Sequence, residues 1–243
     1  MTTYTLTYAG VEYVTNRPAG LADTTTDPVV IGVHGDSRDH LGLLSTLTKA
    51  AGARKVLIVC PLFRTASDPV KPGLDVWSDD GWKRGDLSSK GVSSFTMLDR
   101  FASPASTGTT TLAGHSAGGQ LLQRWAYFGT WFTPRIVVAN PGSYMWHTDQ
   151  WSYKYGLANL PDYCRSRNYG DRPFTLLLGT ADIDPNDPSL DKSKPAMWQG
   201  LTRYDRGKHY AKDHRMDWVN VPNVGHTASG MFRSAEGIKA VFG

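Results

Sequence analysis

The chain has 243 residues, with 26 Lys plus Arg against 22 Asp plus Glu and a net charge of +4. That length fits one large domain able to bury most of its apolar surface, and 40% hydrophobic with 20% charged residues excludes a disordered or fibrous chain. So mild a charge excess is no nucleic-acid signature, and no apolar run reaches the roughly 18–20 residues of a membrane span.

The first residues, MTTYTLTYAGVEYV, have no basic n-region and no apolar h-region. They do not read as a signal peptide, so the default expectation is cytoplasmic, a secreted mature form being equally compatible. Tyr4, Leu6 and Tyr8, then Val11 and Tyr13, alternate with small or polar residues around Ala9-Gly10, which predicts an antiparallel hairpin with one buried face. Residues 29–33 form a continuous apolar run ending at His34-Gly35, as in a strand covered on both faces. Leu43, Leu44 and Leu47 give 41–51 helical spacing, and 56–60 is the next buried strand, stopped by Pro61. The alternation resumes with a helix at 93–102, a strand at 109–113, a helix at 116–128 and a strand at 136–139. A strand at 174–178, a helix within 196–204 and a helix at 228–241 complete it. Strands alternating with helices predict an α/β fold with a mostly parallel sheet.

No repeat or linker divides the chain, so 1–243 reads as one domain, with 103–111 a Ser/Thr-rich connection. Two stretches break the alternation, 64–90 and 141–169. Long segments without periodicity inside a compact domain are usually functional loops or lids. The two cysteines, Cys60 and Cys164, have no CxxC spacing and cannot make a disulfide framework; Cys60 reads as a small buried hydrophobe.

The chemistry centres on Gly114-His115-Ser116-Ala117-Gly118. G-x-S-x-G alone is a weak signal, but here a strand precedes it and a helix follows, the context in which a serine stands on a sharp turn and close backbone approach demands glycine. A serine hydroxyl needs a base, and the base needs an orienting group. Among seven histidines, His226 lies in a loop leading into the final helix, whereas His209 and His214 fall in RGKHYAKDHR, which reads as solvated surface. Asp182 follows the strand at 174–178 directly, with Asp184 as its competitor. The run Asp182-x-Asp184-x-Asn186 faintly suggests a calcium loop, but Asp187 and Ser193 stand where glycine and glutamate would be needed, so no metal is expected. The oxyanion donors would be the N–H of Ala117 and that of Asp36 or Ser37.

In this chain order the His34-Gly35 turn, Gly114-x-Ser116-x-Gly118, Asp182 and His226 resemble the α/β-hydrolase superfamily over nearly the whole chain. The resemblance implies a mostly parallel central sheet with helices on both faces and assigns the second oxyanion donor to Asp36. It also places 141–169 where relatives carry a cap, here a short aromatic lid. Eight Trp and eleven Tyr point to a site with aromatic walls. Trp77, Trp82, Tyr144, Trp146 and Trp151 are the candidates, with Tyr153 and Tyr155 beside them, while Lys83, Arg84 and Lys154 read as solvated. The expected function is a serine esterase acting on a small-molecule ester of small to medium size, aryl- or sugar-linked, with no cofactor. The rivals are a thioesterase or peptidase with the same triad, and a catalytically silent binding scaffold.

Overall fold

The central strands are buried on both faces, which is why their sequences are continuous apolar runs and not alternations. The computed structural model describes residues 2–17, 28–69, 71–102, 109–129, 134–167 and 172–243. Residues 103–108 of the expected connection, and the last two residues of the 141–169 segment, Tyr169 among them, lie outside the described residues.

Strands β1 (Tyr4–Tyr8) and β2 (Val11–Thr15) form the expected hairpin, with Ala9 and Gly10 both at positive φ in its turn. Then come β3 (Val29–Val33), α1 (His40–Ala51), β4 (Leu57–Pro61), α2 (Ser94–Ala102), β5 (Thr110–His115), α3 (Ala117–Phe128) and β6 (Arg135–Ala139). A short helix α4 (Asp162–Arg165), β7 (Thr175–Gly179), α5 (Lys194–Gln199), α6 (Arg203–Asp213), β8 (Trp218–Val221), α7 (Ala228–Arg233) and α8 (Ala235–Phe242) complete the chain. The sheet order is β1-β2-β4-β3-β5-β6-β7-β8, antiparallel at β1–β2–β4 and parallel from β4 to β8. It is a mostly parallel α/β sheet with helices on both faces.

Alternate residues of each strand serve opposite faces. Val30, Ile58, Ala113, Val137 and Leu177 pack with Leu43, Leu44 and Leu47 of α1, Met231 and Phe232 of α7 and Val241 of α8. Ile31, Leu112, Ile136, Val138 and Leu176 pack with α2, α3 and the aromatic residues Trp77, Trp82, Tyr144, Trp146 and Tyr210. Cys60 and Cys164 are free and fully buried, on opposite faces.

Two local expectations are corrected and one strand is added. The helix expected at 228–241 is two, because Ser234 leaves helical ψ to end α7 and its hydroxyl accepts the Gly237 N–H to start α8. The stretch RGKHYAKDHR is solvated on one side only: residues 206–213 lie in α6, whose Arg203, Arg206, Tyr210 and Ala211 are buried, while Lys212, Asp213 and Arg215 are exposed. His214 stacks on Tyr210 with ring centres 4.0 Å apart, and His209 meets Trp146. The inward face of α6 is partly arginine, so its hydrophobic period is masked in sequence. Strand β8 went unpredicted because it is a short, largely exposed edge.

The 141–169 segment is held by buried side chains. Gln123 on α3 donates to Met145 O (3.1 Å) and accepts from Met145 N (3.0 Å), while Gln199 brackets Tyr144 in the same way at 2.8 and 2.9 Å. Arg124, wholly buried, donates to Lys83 O (2.9 Å) and Lys154 O (3.1 Å), tying both irregular stretches to α3. Instead of a loose cover, the described part of the segment has Tyr144–Trp146 in the interior. Among the described residues no helix is long and apolar enough to cross a membrane. Replacing Arg124 with Met leaves those part-buried carbonyls without their donor, so urea unfolding is expected to report a loss of about 2 kcal/mol, with faster limited proteolysis within 64–90.

Candidate active site

Glycine at 114 and 118 is required by backbone contact. A Cβ on Gly118 would stand 2.2 Å from Val33 O, and one on Gly114 would stand 2.6 Å from Gly118 C. With α3 pressed so closely against β3 and β5, the chain between β5 and α3 turns through Ser116 at φ 57°, ψ −118°, a strained region for a residue with a side chain. Its N–H is held by Ala139 O at 3.0 Å, and its hydroxyl projects beyond the carboxyl ends of the strands, where α/β sites assemble.

His226 Nε2 lies 2.9 Å from Ser116 Oγ, and His226 Nδ1 lies 2.7 Å from Asp182 Oδ2. The carboxylate fixes the tautomer: Nδ1 carries the hydrogen and Nε2 accepts from the serine. Asp182 is 4% exposed, on the turn after β7, and its other oxygen lies 3.4 Å from Arg203 Nη1. Asp184, the competitor, instead accepts the Asn186 N–H in an exposed turn.

The loop after β3 runs beside the serine, since a Cβ on Gly35 would be 3.7 Å from Ser116 Cβ. The Asp36 side chain turns outward, 65% exposed, and bonds Lys83 Nζ at 2.9 Å; Lys83 also bonds Asp80 at 2.6 Å. Its carboxylate is thus drawn away from Ser116 while its main chain stays in the loop. Ala117 opens α3, so its N–H is among the helix's unpaired first-turn donors.

Two residues that hold this geometry escaped the sequence reading. Asn140, at φ 42° after β6, accepts Gly179 N–H at 2.8 Å and donates to Gly225 O at 3.3 Å, linking the acid's strand to the histidine's loop. An asparagine ending a buried strand, tolerant of positive φ, was the available signal. Arg203 lay hidden in a charged run.

The aromatic expectations fare differently. Trp77, Trp82, Tyr144 and Trp146 are interior residues of the core, and Trp151 packs beside Trp198 with ring centres 5.9 Å apart. The first four spend their surface on packing and do not stand as an aromatic wall, while Trp151 is half-buried. Trp82 reaches the site only indirectly, its ring 4.6 Å from that of His34. Among the described residues no cluster of three or more His, Cys, Asp or Glu is placed to hold a metal.

His34 and His115 line the inner side of the site. Burial drives the His115 pKa well below that of a free imidazole, with the nearby charges of His226 and Arg203 adding to it. His34 accepts Phe63 N–H at Nε2 (3.1 Å) and donates from Nδ1 to Gly35 O (2.9 Å). Burial lowers its pKa to about 4 from 6.5, against the opposing bond to Gly35. Above pH 6.5 the folded and unfolded states both hold it neutral. As pH falls from 6.5 to 4 the unfolded chain takes up the proton first, so His34 is expected to remove up to about 3 kcal/mol of stability. Urea midpoints at pH 7 and 4.5 test this, since His34→Gln should show a smaller drop than the wild type.

No family model matches the sequence, and no curated protein matches it. Solved structures do. Poly(aspartic acid) hydrolase-1 from Sphingomonas sp. KT-1 superposes with a TM-score of 0.74 at 23% identity, covering 100% of this chain and 98% of that one. LpqC, a poly(3-hydroxybutyrate) depolymerase from Bordetella parapertussis, gives 0.72 at 25% identity over 96% and 87%. An S-formylglutathione hydrolase from Agrobacterium tumefaciens gives 0.58 at 13% over 98% and 94%. With its sheet order, its serine turn and these superpositions, the chain has the α/β-hydrolase fold.

Proposed function

We propose that the protein is a serine hydrolase that cleaves a carboxylic ester through an acyl-enzyme. The observation that carries this reading is the continuous hydrogen-bonded line Ser116–His226–Asp182, at 2.9 and 2.7 Å. Ser116 Oγ attacks the ester carbonyl as its proton passes to His226 Nε2. Asp182 holds the ring and stabilises the imidazolium. The oxygen of the tetrahedral intermediate takes the N–H groups of Ala117 and Asp36, each such donor typically contributing about 10²–10³ in rate. His226 then protonates the leaving alcohol, and water, deprotonated by the same nitrogen, releases the acid and restores the serine. Water is the only co-reactant.

The aryl- or sugar-linked preference rested on rings that are interior, so the proposal stops at a carboxylic ester of small to medium size. The matched structures do not choose the bond: the depolymerase is named for a polymer joined by ester bonds, poly(aspartic acid) is joined by amide bonds and S-formylglutathione is a thioester, so the side-by-side rates below decide. A silent scaffold is disfavoured, because it has no need of a serine held at strained φ in line with a histidine and a carboxylate.

A serine-directed fluorophosphonate probe should label the wild type and not Ser116→Ala, and failure to label the folded protein would leave the scaffold reading standing. Ser116→Ala should retain less than about a hundredth of the esterase activity with a nearly unchanged unfolding midpoint. Side by side, aryl esters should turn over faster than aryl thioesters and aminoacyl amides; an amide rate above the ester rate would replace esterase by peptidase.

A further inference from the structure

Behind Asp182 stands an arrangement that the triad alone does not require. Arg203, with its side chain 2% exposed, places Nη1 3.4 Å from Asp182 Oδ1 and 2.9 Å from Asp187 Oδ2. Its Nη2 donates to Ser189 Oγ at 2.7 Å. That hydroxyl in turn donates to Asp187 Oδ1 at 2.7 Å, and the Ser189 N–H donates to the same oxygen at 2.7 Å. The guanidinium is therefore shared between two carboxylates and lies closer to the one remote from His226.

We infer that Arg203 and Asp187 are positioning residues that set the basicity of His226, Arg203 fixing Asp182 while Asp187 cancels the guanidinium's charge. The inference rests on the hydrolase reading above. A buried arginine facing Asp182 alone would make a neutral pair, and the imidazolium formed on serine attack would meet no net negative charge in a medium of low dielectric. With Asp187 added, two carboxylates and one guanidinium leave a net negative charge on the side of the imidazole. Asp187 is suited to this, since the Arg203 and Ser189 hydrogen bonds hold its carboxyl well below the usual carboxylate range and keep it ionised.

The other groups around this line are already engaged or neutral. His115 packs on His226 with ring centres 4.7 Å apart and is kept uncharged by burial. Arg206, one turn along α6, bonds the carbonyls of Gly200, Gly142 and Asp191. Asp205 accepts from the Thr202 hydroxyl at the start of α6, and burial holds Tyr144 un-ionised.

The test is the acid limb of the kcat/KM–pH profile, together with the NMR titration midpoint of His226 measured without substrate. Asp187→Asn should move both to lower pH by about 0.5–1 unit and lower kcat several-fold with KM little changed. Asp187→Glu, which keeps the charge, should restore both. Arg203→Met should move them the opposite way, and Asp184→Asn, the same charge change in the same loop without an arginine contact, should leave them in place. If Arg203→Met does not fold, the comparison of the Asp187 and Asp184 variants decides. An unmoved limb in Asp187→Asn, or an equal shift in Asp184→Asn, overturns the inference. If no ester is turned over, the titration midpoints still read the charge coupling, and only the hydrolase reading fails.

Discussion

The site depends on one steric constraint, the contact without side chains between the first turn of α3 and the end of β3. Gly118 lies so close to the carbonyls of Val33 and His34 that even a methyl group would have to displace main chain. Because α3 is seated there, Ser116 must turn through positive φ, at a cost of about 1–3 kcal/mol. The same seating brings the α3 N-terminus and the loop following His34 to one side of the hydroxyl. Packing of α3 on the sheet offsets the strain, with Leu121, Leu122 and Trp125 fully buried against it. Asn140 then ties the end of β7 to the loop of His226, so Asp182, His226 and Ser116 are located by a single stack of strand ends.

What could be read from sequence follows the same physics. Strands covered on both faces tend to be apolar throughout, so β3 and β4 announced themselves, while β5, with Thr110, Thr111 and His115 buried, was marked by the serine turn that follows it. The serine turn was legible because backbone proximity leaves glycine no substitute, Asp182 because it sits just past its strand, and His226 because its loop leads into the closing helices. The loop after β3 was legible as a turn, but the outward aim of the Asp36 carboxylate was not. That aim depends on Lys83, 47 residues further along the chain.

Elsewhere the signal was hidden by polar groups doing interior work. Helix α6 has no apolar stripe of ordinary width because Arg203 and Arg206 occupy its inner face, their charge satisfied by carboxylates and carbonyls that local sequence cannot reveal. The Trp and Tyr residues of the irregular stretches carry both an apolar body and a polar tip, so composition alone fits a binding wall and a core equally well. The decision is made by distant partners. Trp77 Nε1 donates to Asp86 O and Trp146 Nε1 to Asp213, and each bond settles a ring inside.

Gln123, Arg124 and Gln199 fasten the irregular stretches almost entirely through main-chain atoms of their targets, the carbonyls of Lys83, Lys154, Tyr144 and Met145 and the amides of the last two. Main-chain atoms are common to nearly every residue type. The path of these stretches is therefore anchored independently of what their outward side chains are, so those side chains are free to diversify while the scaffold beneath stays fixed.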